Sequence, residues 1–468
     1  MYTRIRSVLL KGAIMTGFEP DHFHDDSILA RYYGRSSMFT NIPNNLFSEY
    51  NVKKGLRNED GTGVRIGLTR IADVVGYKTD ENGKVIPCEG DLLYRGYSIK
   101  DLIKNRQKNY GFEETCFLLL FGYLPNREDF ENFKTSLSLR YELPESFLAN
   151  ELLLKPARNL MNKLQSAVLS LYNYDESPDE TDVYQNLLKG INLIAKFPAL
   201  GCYAYYTKVH SFDRSSLIIH YPRRDYSMAE NILYMLRPDG KFTDHEANLL
   251  DAILLIHADH GGGNNSTFTN VVVGSTGTDL YSALSASIGS LKGPKHGGAN
   301  ISVARMMRQI IADTDYTANK DQLRDIINQI LDKDYYDHSG LIYGFGHAVY
   351  TLSDPRAEIL RKLCRNLAEE QGCMYKFTFY KLFEDTVREV SMERMGHAIP
   401  SNVDLYSGLA YSMLGIPEEL FTPLFATARV AGWVAHNLEN KLYDGKIMRP
   451  ATKYVGETQE FIPMEDRF

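Results

Sequence analysis

The chain has 468 residues, 44% of them hydrophobic and 24% charged, with 59 acidic against 52 basic side chains and a net charge of −7. That length exceeds the size at which one hydrophobic core stops growing, so two domains, or one large domain with a satellite, are expected. The charge is spread along the chain without a basic stripe or polybasic patch, which argues against nucleic-acid or membrane-surface binding and leaves any anionic ligand to a few local arginines.

The first twenty residues carry three basic side chains before the first acid, and Lys11 splits their apolar part, so they read as an extension rather than a secretory signal. Residues 60–103 carry the convincing β pattern: "DVVGYKTDENGKVIPC" places two β-branched runs around Asn82-Gly83, which predicts a hairpin. Beyond it the chain reads as helical nearly throughout. "HEANLLDAILLIHADHG" is apolar almost all round and predicts a buried helix that delivers its polar end to an interior. "DLYSALSASIGSLKG" is rich in small residues, suited to close helix packing in a core or a subunit interface. "KDQLRDIINQILDKDYY" sets Leu323, Ile326, Ile327, Ile330 and Leu331 on one face. "DPRAEILRKLCRNLAEEQG" does the same with Leu360, Leu363 and Leu367, opened by Pro355 and closed by Gly372. The five cysteines (Cys88, Cys116, Cys202, Cys364, Cys373) form no C-x-x-C pair, which predicts free thiols in a reducing compartment, and no apolar run reaches membrane-span length.

Three histidine segments are dressed with glycine: "IHADHGGGNNS", "LKGPKHGGAN" and "YGFGHAVYTLSDPR". In the first, His257 and His260 flank Asp259 at helical spacing; a metal pair, a ligand-facing turn and a simple helix end are all open readings. "HGGGN" resembles an esterase oxyanion loop, but no G-x-S-x-G elbow accompanies it, and neither a Walker A loop nor a complete dinucleotide fingerprint is present. His296 precedes a helix beginning near residue 298, whose dipole disfavours imidazolium and suits a neutral N–H donor to a developing oxyanion. His347 lies just upstream of Asp354-Pro355-Arg356, where an arginine fork suits a carboxylate. Asp404 reads either as the N-cap of an apolar helix or as a functional acid. Arg429, inside an apolar helix of small residues, is costly to bury unless an anion pairs with it.

Together with "LYRGYSIKDL", "ETCFLLLFGYLPNREDFENF", "SNVDLYSG" and "RVAGWVAHNLE", these segments resemble the citrate synthase family, in order, from about residue 50 to the C-terminus. The resemblance implies a mainly α, two-domain helical fold with a small N-terminal β-hairpin element. It divides the chain into an N-terminal extension (1–45), a large helical domain (46–296 and 412–468) and a small helical domain (297–411) that closes over the cleft. It implies a cytoplasmic homodimeric transferase of the tricarboxylic acid cycle. That enzyme would condense acetyl-CoA with oxaloacetate and hydrolyse the citryl thioester. No resident cofactor or metal is implied, since the coenzyme A thioester is a co-substrate. By matching position, Asp404 is the base, His296 the donor to the enolate oxygen and His347 the acid on the oxaloacetate carbonyl. His260, Arg356 and Arg429 match substrate-carboxylate ligands, and Arg449 an arginine given to the neighbouring subunit's site.

Some positions depart from the family pattern. Gly261 stands where many relatives have an acid, and Ala348 and Thr351 where many carry a base associated with CoA phosphates; Lys292 and Lys295 are the nearby basic candidates for that contact. Ser401 lies between Pro400 and Asn402, where relatives often run proline directly into Asn-Val-Asp. The rivals are a 2-methylcitrate synthase using propionyl-CoA, a metal-dependent hydrolase built on His257, Asp259 and His260, and a non-catalytic helical scaffold.

Overall fold

Hydrophobic patterning and capping chemistry set most of the architecture in the computed structural model, which describes residues 32–33, 41–58, 62–443 and 445–467. Most of residues 1–45, the expected extension, lie outside that description. Packing groups the chain into two units: residues up to Arg65 together with those from Ala451 onward, and Ile66–Pro450. The smaller unit contains a short helix, Asn45–Glu49, and a helical turn at Met464–Asp466, with Lys453 Nζ 5.5 Å from the centre of the Tyr50 ring.

The main unit opens with an antiparallel sheet of three strands in the order β1 (Ala72–Thr79), β2 (Val85–Tyr94) and β3 (Tyr97–Ser98). The expected hairpin is there, turning through Gly83 at φ 78°, a backbone region that glycine enters without strain. Two glycines let this sheet touch the rest of the fold. A Cβ on Gly76 would run into the Val349 carbonyl, and one on Gly90 into the Ser353 carbonyl. The Gly90 N–H donates to Ser353 Oγ at 3.2 Å, and the Tyr350 hydroxyl to the Asp91 carbonyl at 3.3 Å. The hairpin therefore buttresses the segment between His347 and Asp354.

The longer helices that follow are α1 (Ile99–Asn105), α2 (Gly111–Phe121), α3 (Arg127–Ser138), α4 (Leu160–Ser170), α5 (Val183–Asp213), α6 (Met228–Leu236), α7 (Asp244–His257) and α8 (Asn265–Gly274). They continue with α9 (Leu280–Lys292), α10 (Ala299–Thr314), α11 (Lys320–Leu331), α12 (Pro355–Glu370), α13 (Met374–Met395), α14 (Val403–Met413) and α15 (Phe421–Leu442). α7 is buried from Glu246 to His257 except at Asn248, as its nearly all-round apolar sequence predicts, and a Thr243–Glu246 capping box starts it. α9 packs against α4, α8 and α15, with Ala283, Ser285 and Ser287 buried in the core. On α11, Leu323, Ile326, Ile327 and Ile330 are buried and Leu331 partly so; on α12, Leu360 and Leu367 are buried and Leu363 half-buried. Both outliers sit at the edges of their apolar stripes. α15 is buried along nearly its whole length and packs on α5, α8, α9, α7 and α2, making it the central pillar. Among the described residues no helix is long and apolar enough to cross a membrane.

Candidate active site

The C-terminal end of α7 is pinned by Tyr94. Its hydroxyl lies 3.1–3.2 Å from the carbonyls of Leu255, Ile256 and Asp259, and it accepts the Asp259 N–H at 3.1 Å. Asp259 turns away from His260 and takes the Gly261 N–H at 3.0 Å and His436 Nε2 at 3.1 Å. Burial opposes its charge, but His436 prevails and holds its carboxyl below the ordinary range. His257 donates Nδ1–H to the Ile253 carbonyl at 2.8 Å and packs edge-on against Phe425. Asp259 is thus engaged by His436 and the Gly261 N–H, and His257 Nδ1–H by a backbone carbonyl, and no group of three metal-ligating side chains converges among the described residues.

His260 emerges beside a cavity of about 140 Å³ lined also by Asn264, His296, Gly297, Asn300, His347, Arg356, Asn402, Val403, Asp404, Phe421, Thr422, Phe425 and Arg429. At about 30 Å³ per water, that space holds four or five waters or one compact organic acid. Six residues expected from sequence (His260, His296, His347, Arg356, Asp404, Arg429) meet here, although 169 positions separate the first from the last. Lys292 donates to Asn162 at 2.7 Å on the exposed surface, Lys295 is exposed, and Arg449 is exposed after α15; none of these three lines the cavity.

The glycines beside His296 now have a physical reason. A Cβ on Gly297 would strike the Leu291 carbonyl and come within 2.9 Å of Thr422 Cγ2; one on Gly298 would lie 2.9 Å from Pro294 Cα. Thr422 Oγ1 also donates to the Gly297 carbonyl at 3.0 Å. His296 is therefore set by backbone packed too closely for any side chain. Burial, then the nearby charge of Arg429, lowers its pKa to about 4, so it is neutral. Its Nε2 lies 3.1 Å from Ser266 Oγ, which Trp433 Nε1–H also approaches at 3.1 Å and which lies 2.8 Å from Asn264 Oδ1. Tryptophan can only donate, so the single Ser266 hydroxyl hydrogen goes to Asn264 or to His296. In the second arrangement His296 carries its proton on Nδ1.

His347 is fixed differently. Its Nδ1 accepts the N–H groups of Val349 and Tyr350, each at 3.1 Å, which leaves Nε2 as the protonated nitrogen and a donor. Its ring stacks on Tyr350 at 4.5 Å and meets His260 edge-on at 5.1 Å. His260 is pushed well below its ordinary pKa by burial and then by Arg356, His347 and Arg429; its Nε2 has no protein partner among the described residues.

The two arginines are not equivalent. Arg356 forms a fork with Asp354, Nε to Oδ1 at 3.0 Å and Nη2 to Oδ2 at 2.8 Å. Burial opposes both charges, but the pairing wins, raising Arg356 and lowering Asp354. Arg429 is 0% exposed, donates only Nε, to the His257 carbonyl at 2.7 Å, and has no partner for Nη1 or Nη2 among the described residues. Burial lowers its pKa to about 10. Such a guanidinium is made for an anion.

Asn402, not Asp404, caps α14, accepting the Asp404 N–H at 3.0 Å. Asp404 is thereby released from the capping role and sits half-buried in the first turn, its carboxylate accepting no hydrogen bond from the described residues. Burial raises its pKa to about 6, with Arg356 opposing and Asp354 reinforcing the shift. The cavity thus holds a carboxylate poised near neutrality, neutral imidazoles as donors and an unpaired buried guanidinium, the equipment for moving a carbon-bound proton beside a bound anion. Ser266, Asn300 and Trp433 lie within the sequence motifs but carry no mark of their own there, and Thr422 lies in none; their partners are distant in the chain and leave no local signal.

Comparison with known proteins agrees with this geometry. Residues 60–451 match the family model described as "Citrate synthase, C-terminal domain". The citrate synthase of Haloferax volcanii is 35% identical over 81% of this chain and 93% of its own length. The 2-methylcitrate synthase 1 of Corynebacterium glutamicum is 33% identical over 82% and 94%. The crystal structure of citrate synthase from Pyrobaculum aerophilum superposes with a TM-score of 0.72 at 30% identity, covering 86% of this chain and 94% of the other. The chain, a mainly helical condensing transferase, belongs to the citrate synthase family.

Proposed function

We propose that the protein condenses acetyl-CoA with oxaloacetate and hydrolyses the resulting citryl thioester, releasing citrate and CoA. The observation that carries this reading is the single cavity that joins Asp404, His296 and His347 to Arg356, Arg429 and His260. Its volume suits oxaloacetate, a dianion, with Arg429, Arg356 and His260 as the carboxylate ligands. Asp404 removes a proton from the acetyl methyl group. A thioester α-carbon is a weak acid, so His296 must donate to the carbonyl oxygen as the enolate forms. The methyl carbon then attacks the ketone carbon of oxaloacetate while His347 Nε2–H gives its proton to the ketone oxygen. Water finally displaces the CoA thiol.

His347, Arg356 and Asp404 come from residues 297–411 and His260, His296 and Arg429 from the flanking segments. This distribution supports a small domain over 297–411 that closes on the segments flanking it. In this reading the enzyme is a cytoplasmic homodimer of the tricarboxylic acid cycle, Arg449 serves the neighbouring subunit's cavity, and Lys292 and Lys295 meet the CoA phosphates. The thioester is a co-substrate and no resident cofactor takes part.

The test is thiol release from acetyl-CoA and propionyl-CoA, each with oxaloacetate, with and without EDTA. Faster release from acetyl-CoA, indifferent to EDTA, is expected. Equal or reversed preference makes it a 2-methylcitrate synthase, since one methylene is worth only about 1–3 kcal/mol. Loss of activity in EDTA, or no oxaloacetate-dependent release, overturns the proposal.

A further inference from the structure

The base that the proposed reaction needs has no hydrogen bond on its own carboxylate from the described residues, so its aim is set by whatever holds its backbone. The cavity side of that backbone is tied by main-chain and side-chain hydrogen bonds. The Gly346 N–H donates to the Pro400 carbonyl at 2.8 Å, the Asn402 N–H to the Gly344 carbonyl at 2.9 Å, and Asn402 Nδ2 to the Gly346 carbonyl at 2.9 Å. Asp354 Oδ2 accepts the Val403 N–H at 3.2 Å. These bonds couple the Asp404 loop to the segments carrying His347 and Arg356.

The far side is held by one buried acid outside the cavity. Glu384, on α13, is 2% exposed. Its Oε1 accepts a short hydrogen bond from the Ser401 hydroxyl, and its Oε2 accepts the Tyr406 hydroxyl at 2.7 Å. Arg361, on α12, reaches both oxygens at 3.3–3.4 Å. One carboxylate thus grips the chain three residues before Asp404 and two residues after it. Ser401, which stands between Pro400 and Asn402, gives its hydroxyl to this contact.

Burying a carboxylate is costly, and apolar packing of the same shape would hold α13 against α14 at lower cost. A gain in orientation offsets that expense. We infer that Glu384 is the positioning residue for Asp404, acting through Ser401 and Tyr406 to fix the approach of the base to its substrate. This rests on the reading of Asp404 as the base. Glu384 does not line the cavity.

The test compares the full-length parent with Glu384→Gln, and with Ser401→Ala and Tyr406→Phe singly and combined. It measures kcat, the oxaloacetate KM, the pH profile of kcat and the melting temperature. Since an error of about 1 Å in placement costs up to ~100-fold in rate, Glu384→Gln should lower kcat per folded enzyme by roughly 10- to 100-fold. The oxaloacetate KM should stay within about 3-fold, because carboxylate binding is left intact. The acid limb of the profile should shift, and the single variants should lie between. If Glu384→Gln fails to fold, the Ser401→Ala and Tyr406→Phe variants decide the matter. A lowered melting temperature with unchanged kcat per folded enzyme and an unmoved acid limb would mean that Glu384 is only structural, and overturns the inference. Absence of oxaloacetate-dependent thiol release in the parent would instead remove the proposed function, so the two failures are distinct.

Discussion

Arg429→Met separates stability from function most sharply. Methionine follows much of the arginine's path through α15 without the charge. The fall of the guanidinium from 12.5 to about 10 means that, at neutral pH, the charged group costs the folded state about 3 kcal/mol relative to the unfolded chain. The sign is that of a base lowered by folding: the cost is fully present below about pH 10 and fades only above it. Substitution removes that cost but strips the His257 carbonyl of its donor, worth about 1–3 kcal/mol. The protein without ligand should therefore melt at the same temperature as the parent or a few degrees higher, a net gain of about 0–2 kcal/mol. Oxaloacetate should lose about 2–5 kcal/mol of binding, roughly 30-fold to several-thousand-fold in affinity. The assay is thermal melting with and without millimolar oxaloacetate, beside the oxaloacetate KM. A variant that melts well below the parent, yet is still stabilised by oxaloacetate to the same extent, would refute the argument that this charge is stored for an anion.

Further outcomes concern Asp404, Gly297 and Glu113. With Asp404 raised to about 6, kcat/KM should fall about tenfold per pH unit below that value. Asp404→Asn should lose at least about a thousandfold in kcat while keeping its stabilisation by oxaloacetate. As an acid raised by folding, Asp404 imposes a stability cost that develops between about pH 4 and 6 and is full above that, so the asparagine variant should melt above the parent at pH 8 and about level with it at pH 4; an equal gap at both would contradict this. Gly297→Ala must push the Leu291 carbonyl or Thr422 aside, and should cut kcat by about 100-fold through displacement of His296; near-parent activity would show that the close approach is not required. Glu113, buried and facing Asp251, is raised to about 8, so its stability cost develops between about pH 4.5 and 8. Glu113→Gln should therefore melt progressively higher than the parent as pH rises from 5 to 9, and a gap independent of pH would discount the shift.

What could be read in the sequence was whatever leaves a local mark. Glycine announces close approach, so Gly297 and Gly298 pointed to His296 before any coordinates did. An apolar helix broken by one arginine announced Arg429. Partners distant in the chain leave no such mark. Gly76 and Gly90 could be seen to weaken two strands, but not to make room for Val349 and Ser353. The Asp259–His436 pair spans 177 residues and the Trp433–Ser266 bond 167, and periodicity reports only that such residues are buried. Asp404 illustrates the ambiguity that remains at helix starts. An aspartate before an apolar run caps more often than it catalyses, and only the geometry gives the cap to Asn402. Glu384 was silent for a related reason: a glutamate on an otherwise amphipathic helix reads as surface until its three donors are seen.

The charges of the cavity are coupled in a way that decides when its histidines can act. Arg356 and Arg429 both depress His260, and Arg429 depresses His296, so without an anion these imidazoles resist protonation. A dicarboxylate placed between the arginines cancels much of their field, and the same Coulombic effect then runs in reverse. In the proposed reaction, protonated imidazole thus becomes less costly once oxaloacetate is bound. His347 holds its Nε2 proton through two backbone donors to Nδ1, so its tautomer is settled before the substrate arrives. Asp404 lies nearer Arg356, whose charge lowers its pKa against the effect of burial; neutralising Arg356 by substrate raises the basicity of that carboxylate. One binding event thus strengthens the base and prepares the acids together. Arg356, whose charge is felt by both Asp404 and His260, is what links the two.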